Sequence, residues 1–213
     1  MFSLLIPKTD FVFKQIFASE DNKSILIAFL NEILHDHKDK IISVETRNKD
    51  IEPLTDSTLC IKATTQNNQT INIEIKIDNN SNSSNLIQQS MYYWSKAYNS
   101  QIKPHSSFSK LNTVICINIL DFNCIPDTKD FHSIYRLGNM NGTDELSNLL
   151  EIQFLEIPKL RELNPNDNNS NLEIWTEFLR NPESEVVKKA ELSNIELKKA
   201  KQEFYKIINH TKS

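Results

Sequence analysis

Hydrophobic and polar positions alternate strictly through Thr70-Ile71-Asn72-Ile73-Glu74-Ile75-Lys76-Ile77. Side chains of a strand point alternately to its two faces. The run therefore predicts a strand with four isoleucines on one face and Asn72, Glu74 and Lys76 on the other. A second alternating run, Thr58 to Thr65, precedes it, and the polar Gln66-Asn67-Asn68 between them predicts a hairpin. The first strand carries Leu59, Ile61 and Ala63 on one face and Cys60, Lys62 and Thr64 on the other. For the apolar faces to coincide, Ile61 must lie across from Ile73 or Ile75, because a one-residue slip would expose one strand's hydrophobic set. Cys60 then lies opposite Glu74 or Lys76. A two-residue Asn67-Asn68 turn would instead pair Cys60 with Ile75, so the pattern favours a loop of odd length.

Helical spacing dominates elsewhere. Thr9-Asp10 reads as an N-cap before a short helix with Phe13, Ile16 and Phe17 on one stripe. After the polar break at Ser19-Glu20-Asp21-Asn22, Ile25, Leu26, Phe29, Leu30, Ile33 and Leu34 keep the i, i+3/i+4 spacing of a second helix. His35 and His37 follow in a polar turn and read as surface residues. Ile41 to Glu45 predicts a strand, and the segment around Asn48 to Pro53 a loop. Ser81 to Ser84 reads as a polar linker into a long helix over Leu86 to Gln101, whose Met91, Tyr92, Tyr93, Trp94 and Tyr98 have the spacing of core residues. The apolar run Leu111 to Leu120 suits a central strand. Phe131 to Leu137 and Leu150 to Ile157 predict two more, separated by a loop at Gly138 to Gly142. From Arg161 the character changes. A polar linker, Asn164 to Ser170, leads to a helix over Leu172 to Leu179. A last amphipathic helix follows, with Leu197, Ala200, Phe204, Ile207 and Ile208 on one side and Lys198, Lys199, Lys201 and Lys206 elsewhere. A sheet flanked by helices from both ends of the chain is an α/β or α+β core. The expected division is residues 1–160 as one domain and 161–213 as a helical C-terminal extension.

Composition narrows the chemistry. A chain of 213 residues with only two glycines, Gly138 and Gly142, has no Gly-rich phosphate loop. A net charge of −4 gives no overall basic bias, so any nucleic-acid contact must be local or metal-mediated. Cys60, Cys116 and Cys124 have no metal-ligand spacing, and their odd count does not suggest a disulfide framework. The opening Met1 to Pro7 lacks the form of a signal peptide, and no apolar run approaches the ~20 residues of a membrane helix. A cytoplasmic protein without membrane contact is expected. Glu74 and Lys76 on one strand face ordinarily read as a solvated ion pair worth little. The same triplet is also half of a metal-dependent nuclease site, in which the carboxylate holds a hard cation and the ammonium meets the scissile phosphate.

Several segments together resemble one family, in order and over essentially the whole chain. Pro7-Lys8-Thr9-Asp10-Phe11-Val12-Phe13-Lys14 with Ile16-Phe17 is similar to the opening signature of the Rpn family of recombination-promoting nucleases, also called PD-(D/E)XK nuclease family transposases. Ile71 to Lys76 resembles the family's second catalytic strand, and Tyr92-Tyr93-Trp94-Ser95-Lys96 with Tyr98 and Gln101 its helix. Val114 to Phe122 is similar to its central strand, and Phe154 to Lys159 to the end of its last core strand. The resemblance implies a restriction-endonuclease-like core, a mixed central sheet flanked by helices. In it an Asp and a Glu on adjacent strands hold Mg²⁺ or Mn²⁺ and double-stranded DNA is cut, in an enzyme of mobile elements. A homodimer is a further expectation.

Carried onto this chain, the resemblance makes Glu74 the metal ligand and Lys76 the residue that positions the phosphate or the water. The family's Asp lies fourteen residues before the Glu, and that position is Cys60. A thiol is a soft donor where Mg²⁺ needs oxygen, which predicts weakened catalysis. Asp56 lies about 13 Å from position 60 along an extended strand, too far to substitute. Asp78 has the right parity but is not a family ligand. Gln89 stands where the family has Arg, and Lys103-Pro104-His105 where a Gly is usual. Asp10 either caps the first helix or reaches the site as an accessory carboxylate. With Ser213 ending the chain where more helix is expected, these departures point to a degenerate, truncated copy. The competing reading is a non-catalytic module that binds DNA or protein.

Overall fold

The strands of the central sheet lie in the order β1-β2-β3-β4-β6-β5: Ile41–Arg47, Thr58–Thr65, Thr70–Asp78, Thr113–Leu120, Glu145–Glu156 and, at the far edge, His132–Gly138. The structure, a computed structural model, describes residues 6–47, 58–79, 85–104, 107–142 and 144–210. The loop expected at Asn48 to Pro53, Asp56, the linker Ser81 to Ser84, His105 and Ser213 lie outside the described residues. β3, β4 and β6 run parallel, and the other pairs are antiparallel. A mixed sheet with helices on both faces is the α/β arrangement the alternation predicts. β4 is central, as its largely apolar run requires.

The β2–β3 hairpin has the register that its faces demand. Leu59 lies opposite Ile75, Ile61 opposite Ile73, and Cys60 opposite Glu74. The connection is an odd loop of three residues, Gln66 to Asn68, closed by the Thr65 N–H donating to the Gln69 carbonyl at 3.0 Å. Asn68 takes φ 60°, a left-handed conformation Asn tolerates better than most residues. The Asp39 carboxylate accepts from the Thr65 hydroxyl at 2.5 Å and the Asn67 N–H at 3.1 Å, holding the loop from outside the hairpin.

The isoleucine face of β3 and β4 packs on helices α1 (Asp10–Phe17), α2 (Lys23–Ile33), α4 (Asn171–Arg180), α5 (Glu185–Ala190) and α6 (Ile195–His210). Phe17, Phe29 and Trp175 bring α1, α2 and α4 together, with ring centroids 5.2–6.0 Å apart. Leu197, Ala200 and Phe204 of α6 belong to the same buried cluster as Ile73 and Ile117, so the C-terminal helices share the core of the sheet. Among the described residues, the other face carries one helix, α3 (Leu86–Asn99), over a smaller cluster of Leu86, Cys116, Leu120, Ile152 and Phe154.

Four details depart from the sequence reading. The aromatic spacing of α3 predicts core positions, yet only Leu86 and Ser90 are buried, while Met91 and Tyr92 are 56% and 53% exposed. Helical period alone does not say how wide a stripe a neighbour covers. Helix α5 is too short to show a period. His37, expected at the surface, pairs with the buried Glu151 at 3.0 Å. Lys201, assigned to the solvated side of α6, is buried against Glu191 at 3.2 Å.

Candidate active site

Strand alternation and register bring the polar residues of three strands into two rows beneath α3. Cys60, Glu74 and Cys116 lie side by side on β2, β3 and β4, and Thr58, Lys76 and Asn118 form the next row. Cys60 Sγ is 3.9 Å from Glu74 Oε1. Of the two partners the faces allow for Cys60, the structure has Glu74. Neither charged residue is solvated: Glu74 is 6% and Lys76 9% exposed. The solvated-pair reading therefore does not describe this triplet, because α3 and the flanking strands take both side chains out of water.

Lys76 Nζ donates to Gln89 Oε1 of α3 at 2.7 Å and lies 3.5 Å from Asp78 Oδ2. Gln89 and Asp78 thus stand beside the Glu74–Lys76 pair. Asp10 has an ion pair with Lys14, 3.0 Å away on the next turn. No side chain caps α1, since the Thr9 hydroxyl donates back to the Ile6 carbonyl at 2.9 Å and Asp10 is the first helical residue. The start of α1 sits at the C-terminal end of β3 and β4, through Lys8 paired with Asp121 and the Asp121 N–H donating to the Asp78 carbonyl at 3.2 Å.

A cavity of about 10 Å³ separates α3 from the sheet, lined by Thr58, Glu74, Lys76, Ser90, Tyr93, Cys116 and Asn118. The Ser90 hydroxyl is 2.9 Å from both the Leu86 carbonyl and Asn118 Oδ1, and Asn118 Nδ2 donates to the Gln153 carbonyl at 3.2 Å. Sequence reasoning did not single out Ser90, Cys116 or Asn118. Asn118 carried a signal: a polar residue inside an apolar central strand must find partners on a buried face.

The donor set does not fit Mg²⁺. The ion takes oxygen ligands in near-octahedral geometry and usually keeps several waters. Here one carboxylate faces a thiol in a space sized for about one water. Among the described residues, no group of three or more His, Cys, Asp and Glu side chains is arranged to hold a metal ion.

Two other buried carboxylates on β6 hold loops. Glu156 accepts from the Cys124 and Ile125 N–H groups at 2.5 and 3.0 Å and from Lys159 Nζ at 2.7 Å. On the opposite face of the sheet, burial drives the Glu151 carboxyl upward, but hydrogen bonds and charge from His37, with Arg136 and Gln153, outweigh it and leave the carboxyl below its ordinary value. His132, 2.9 Å from Gln153 Oε1, is held below the ordinary histidine value by burial. Burial and the neighbouring Glu156 push the Cys124 thiol up.

Among the described residues, no helix is long and apolar enough to cross a membrane. No curated protein and no solved structure matches the chain. A family model described as PD-(D/E)XK nuclease family transposase matches residues 7–213.

Proposed function

Since the chain belongs to the PD-(D/E)XK nuclease family transposases, we propose that it is a DNA endonuclease of the mobile-element type whose phosphodiester hydrolysis is weakened at position 60. The observation that carries this reading is the register pairing of Cys60 with Glu74, which puts a thiol where the resemblance requires a metal-binding Asp. Lys76 supplies the phosphate-binding charge, a compact ammonium with three donors. Glu74 supplies a carboxylate two residues away on the same strand face. Because the donors do not suit Mg²⁺, no metal-borne step is assigned to them. The substrate is double-stranded DNA, whose backbone presents the anions Lys76 would meet.

A second reading, a DNA- or protein-binding module without catalysis, is favoured by the tightness of the site. Its cavity of about 10 Å³ admits no phosphodiester as it stands, and Lys76 is already engaged by Gln89 and Asp78. A plasmid-nicking assay with Mg²⁺ or Mn²⁺ separates the two. Nicking that disappears in Glu74→Ala supports the weakened enzyme. No nicking with either metal leaves the binding module, which a gel shift with the same plasmid then examines.

A further inference from the structure

We propose that α3 is a latched lid over Glu74 and Lys76, hinged at its C-terminal end and lifted at its N-terminal half when an anion takes Lys76 from Gln89. That a phosphodiester is the anion rests on the nuclease reading above. The latch rests on geometry alone.

Three observations carry it. The cavity beneath α3 that Glu74 and Lys76 line holds about one water, so a phosphate does not fit into it while the helix is seated. The helix is lightly fastened. Leu86 and Ser90 are its only side chains buried among the described residues, whereas five helices share the large core on the opposite face. Elements with few buried apolar contacts open locally at lower cost than the whole fold. Finally, the polar part of the fastening is uneven. Gln89 to Lys76 and Ser90 to Asn118 tie the N-terminal half to β3 and β4. Just past the C-terminal end, Gln101 and Asn112 exchange two hydrogen bonds, Gln101 Nε2 to the Asn112 carbonyl at 3.1 Å and the Asn112 N–H to Gln101 Oε1 at 2.8 Å. That end is pinned to the start of β4.

The chemistry of the exchange favours opening by an anion. Gln89 offers Lys76 a neutral amide oxygen, and a phosphate oxygen carries charge. The Lys76–Gln89 bond is charged at one end only, whereas a phosphate oxygen adds the Coulomb attraction of a second ion. An anion that binds Lys76 only with the lid raised shifts the population toward the raised state.

Hydrogen exchange on the full chain tests the lid without requiring cleavage, so a protein that never nicks DNA can still show or lack it. The amides of residues 90–94 should exchange faster than those of β4. Gln89→Ala should speed them about tenfold, the loss of one hydrogen bond to a charged group, with β4 unchanged. Gln89→Glu, which offers Lys76 a carboxylate, should slow them. A single common rate for α3 and β4 in the wild-type chain overturns the lid. So does Gln89→Ala exchanging no faster than wild type. If Gln89→Ala does not fold, the wild-type comparison and Gln89→Glu decide: α3 faster than β4 and slowed by Glu supports the lid, and the absence of either overturns it.

Discussion

Replacing Cys60 with Asp sets two carboxylates where the protein now holds a thiol 3.9 Å from Glu74 Oε1. Two like charges about 4 Å apart at an effective dielectric near 20 repel by about 4 kcal/mol. That is a large part of the ~5–15 kcal/mol that separates most folded domains from their unfolded chains. Without metal, Cys60→Asp should therefore be less stable than wild type, and the deficit should grow from pH 5 to pH 8 as the pair is forced to carry both charges. A divalent cation reverses the sign of the problem, because a 2+ ion between two carboxylates is the oxygen-donor arrangement Mg²⁺ takes. At a hundred times its dissociation constant, Mg²⁺ should return about 2.7 kcal/mol. Urea unfolding at the two pH values, with and without Mg²⁺, reads both effects, and calorimetry reads the affinity. Wild type should show no gain with Mg²⁺. A deficit equal at both pH values and untouched by Mg²⁺ would falsify the placement of residue 60 beside Glu74.

Three further outcomes follow from buried or capping groups. Glu156→Gln leaves the nearly buried Lys159 ammonium without its carboxylate partner and should cost about 3–5 kcal/mol in urea unfolding; a loss under 1 kcal/mol would mean the loop at Cys124–Ile125 is held by something else. Ser170 and Glu173 form a reciprocal capping box at the start of α4, so Ser170→Ala should lower stability by about 1 kcal/mol, and an unchanged midpoint counts against the cap. Burial keeps His132 below the ordinary value, so as pH falls through about 6.5 the unfolded chain takes up a proton before the native one, and stability that is full above that pH is lost below it. His132→Gln should flatten the fall in unfolding midpoint between pH 7 and pH 5 relative to wild type, which faces His132 with His35, Asp36, Glu151 and Gln153; parallel curves would show that His132 does not titrate differently in the two states.

The hairpin was the most legible part of the chain. Alternation in β2 and β3 and the demand that two apolar faces coincide left only two partners for Cys60, and parity ruled out the tight turn. Helix α2 was legible for the same reason, its period matching one wide buried stripe. Helix α3 was legible as a helix but its buried face was not, because Met91 and Tyr92 have the spacing of core residues and face solvent. The polar lining was partly legible. Glu74, Lys76 and Gln89 stood out, but Ser90 and Cys116 have side chains equally at home in an ordinary helix or core. Glu151 and Gln153 would read as exposed positions of β6, yet Arg136, His37 and His132 supply their partners from elements distant in sequence. Such long-range satisfaction leaves no periodic trace.

The row Cys60, Glu74, Cys116 has a redox consequence. Adjacent strands lie about 4.8 Å apart, so the two thiols that flank the carboxylate have Cα atoms roughly 10 Å apart, beyond the ~7 Å limit of a disulfide. They cannot protect one another from peroxide by bridging. Oxidation of either thiol adds oxygen atoms beside Glu74, and a sulfinic group at position 60 would place there the negative charge that the Cys lacks. Both thiols are buried, which slows such oxidation, and a reducing buffer keeps the candidate site in its thiol form for the measurements above.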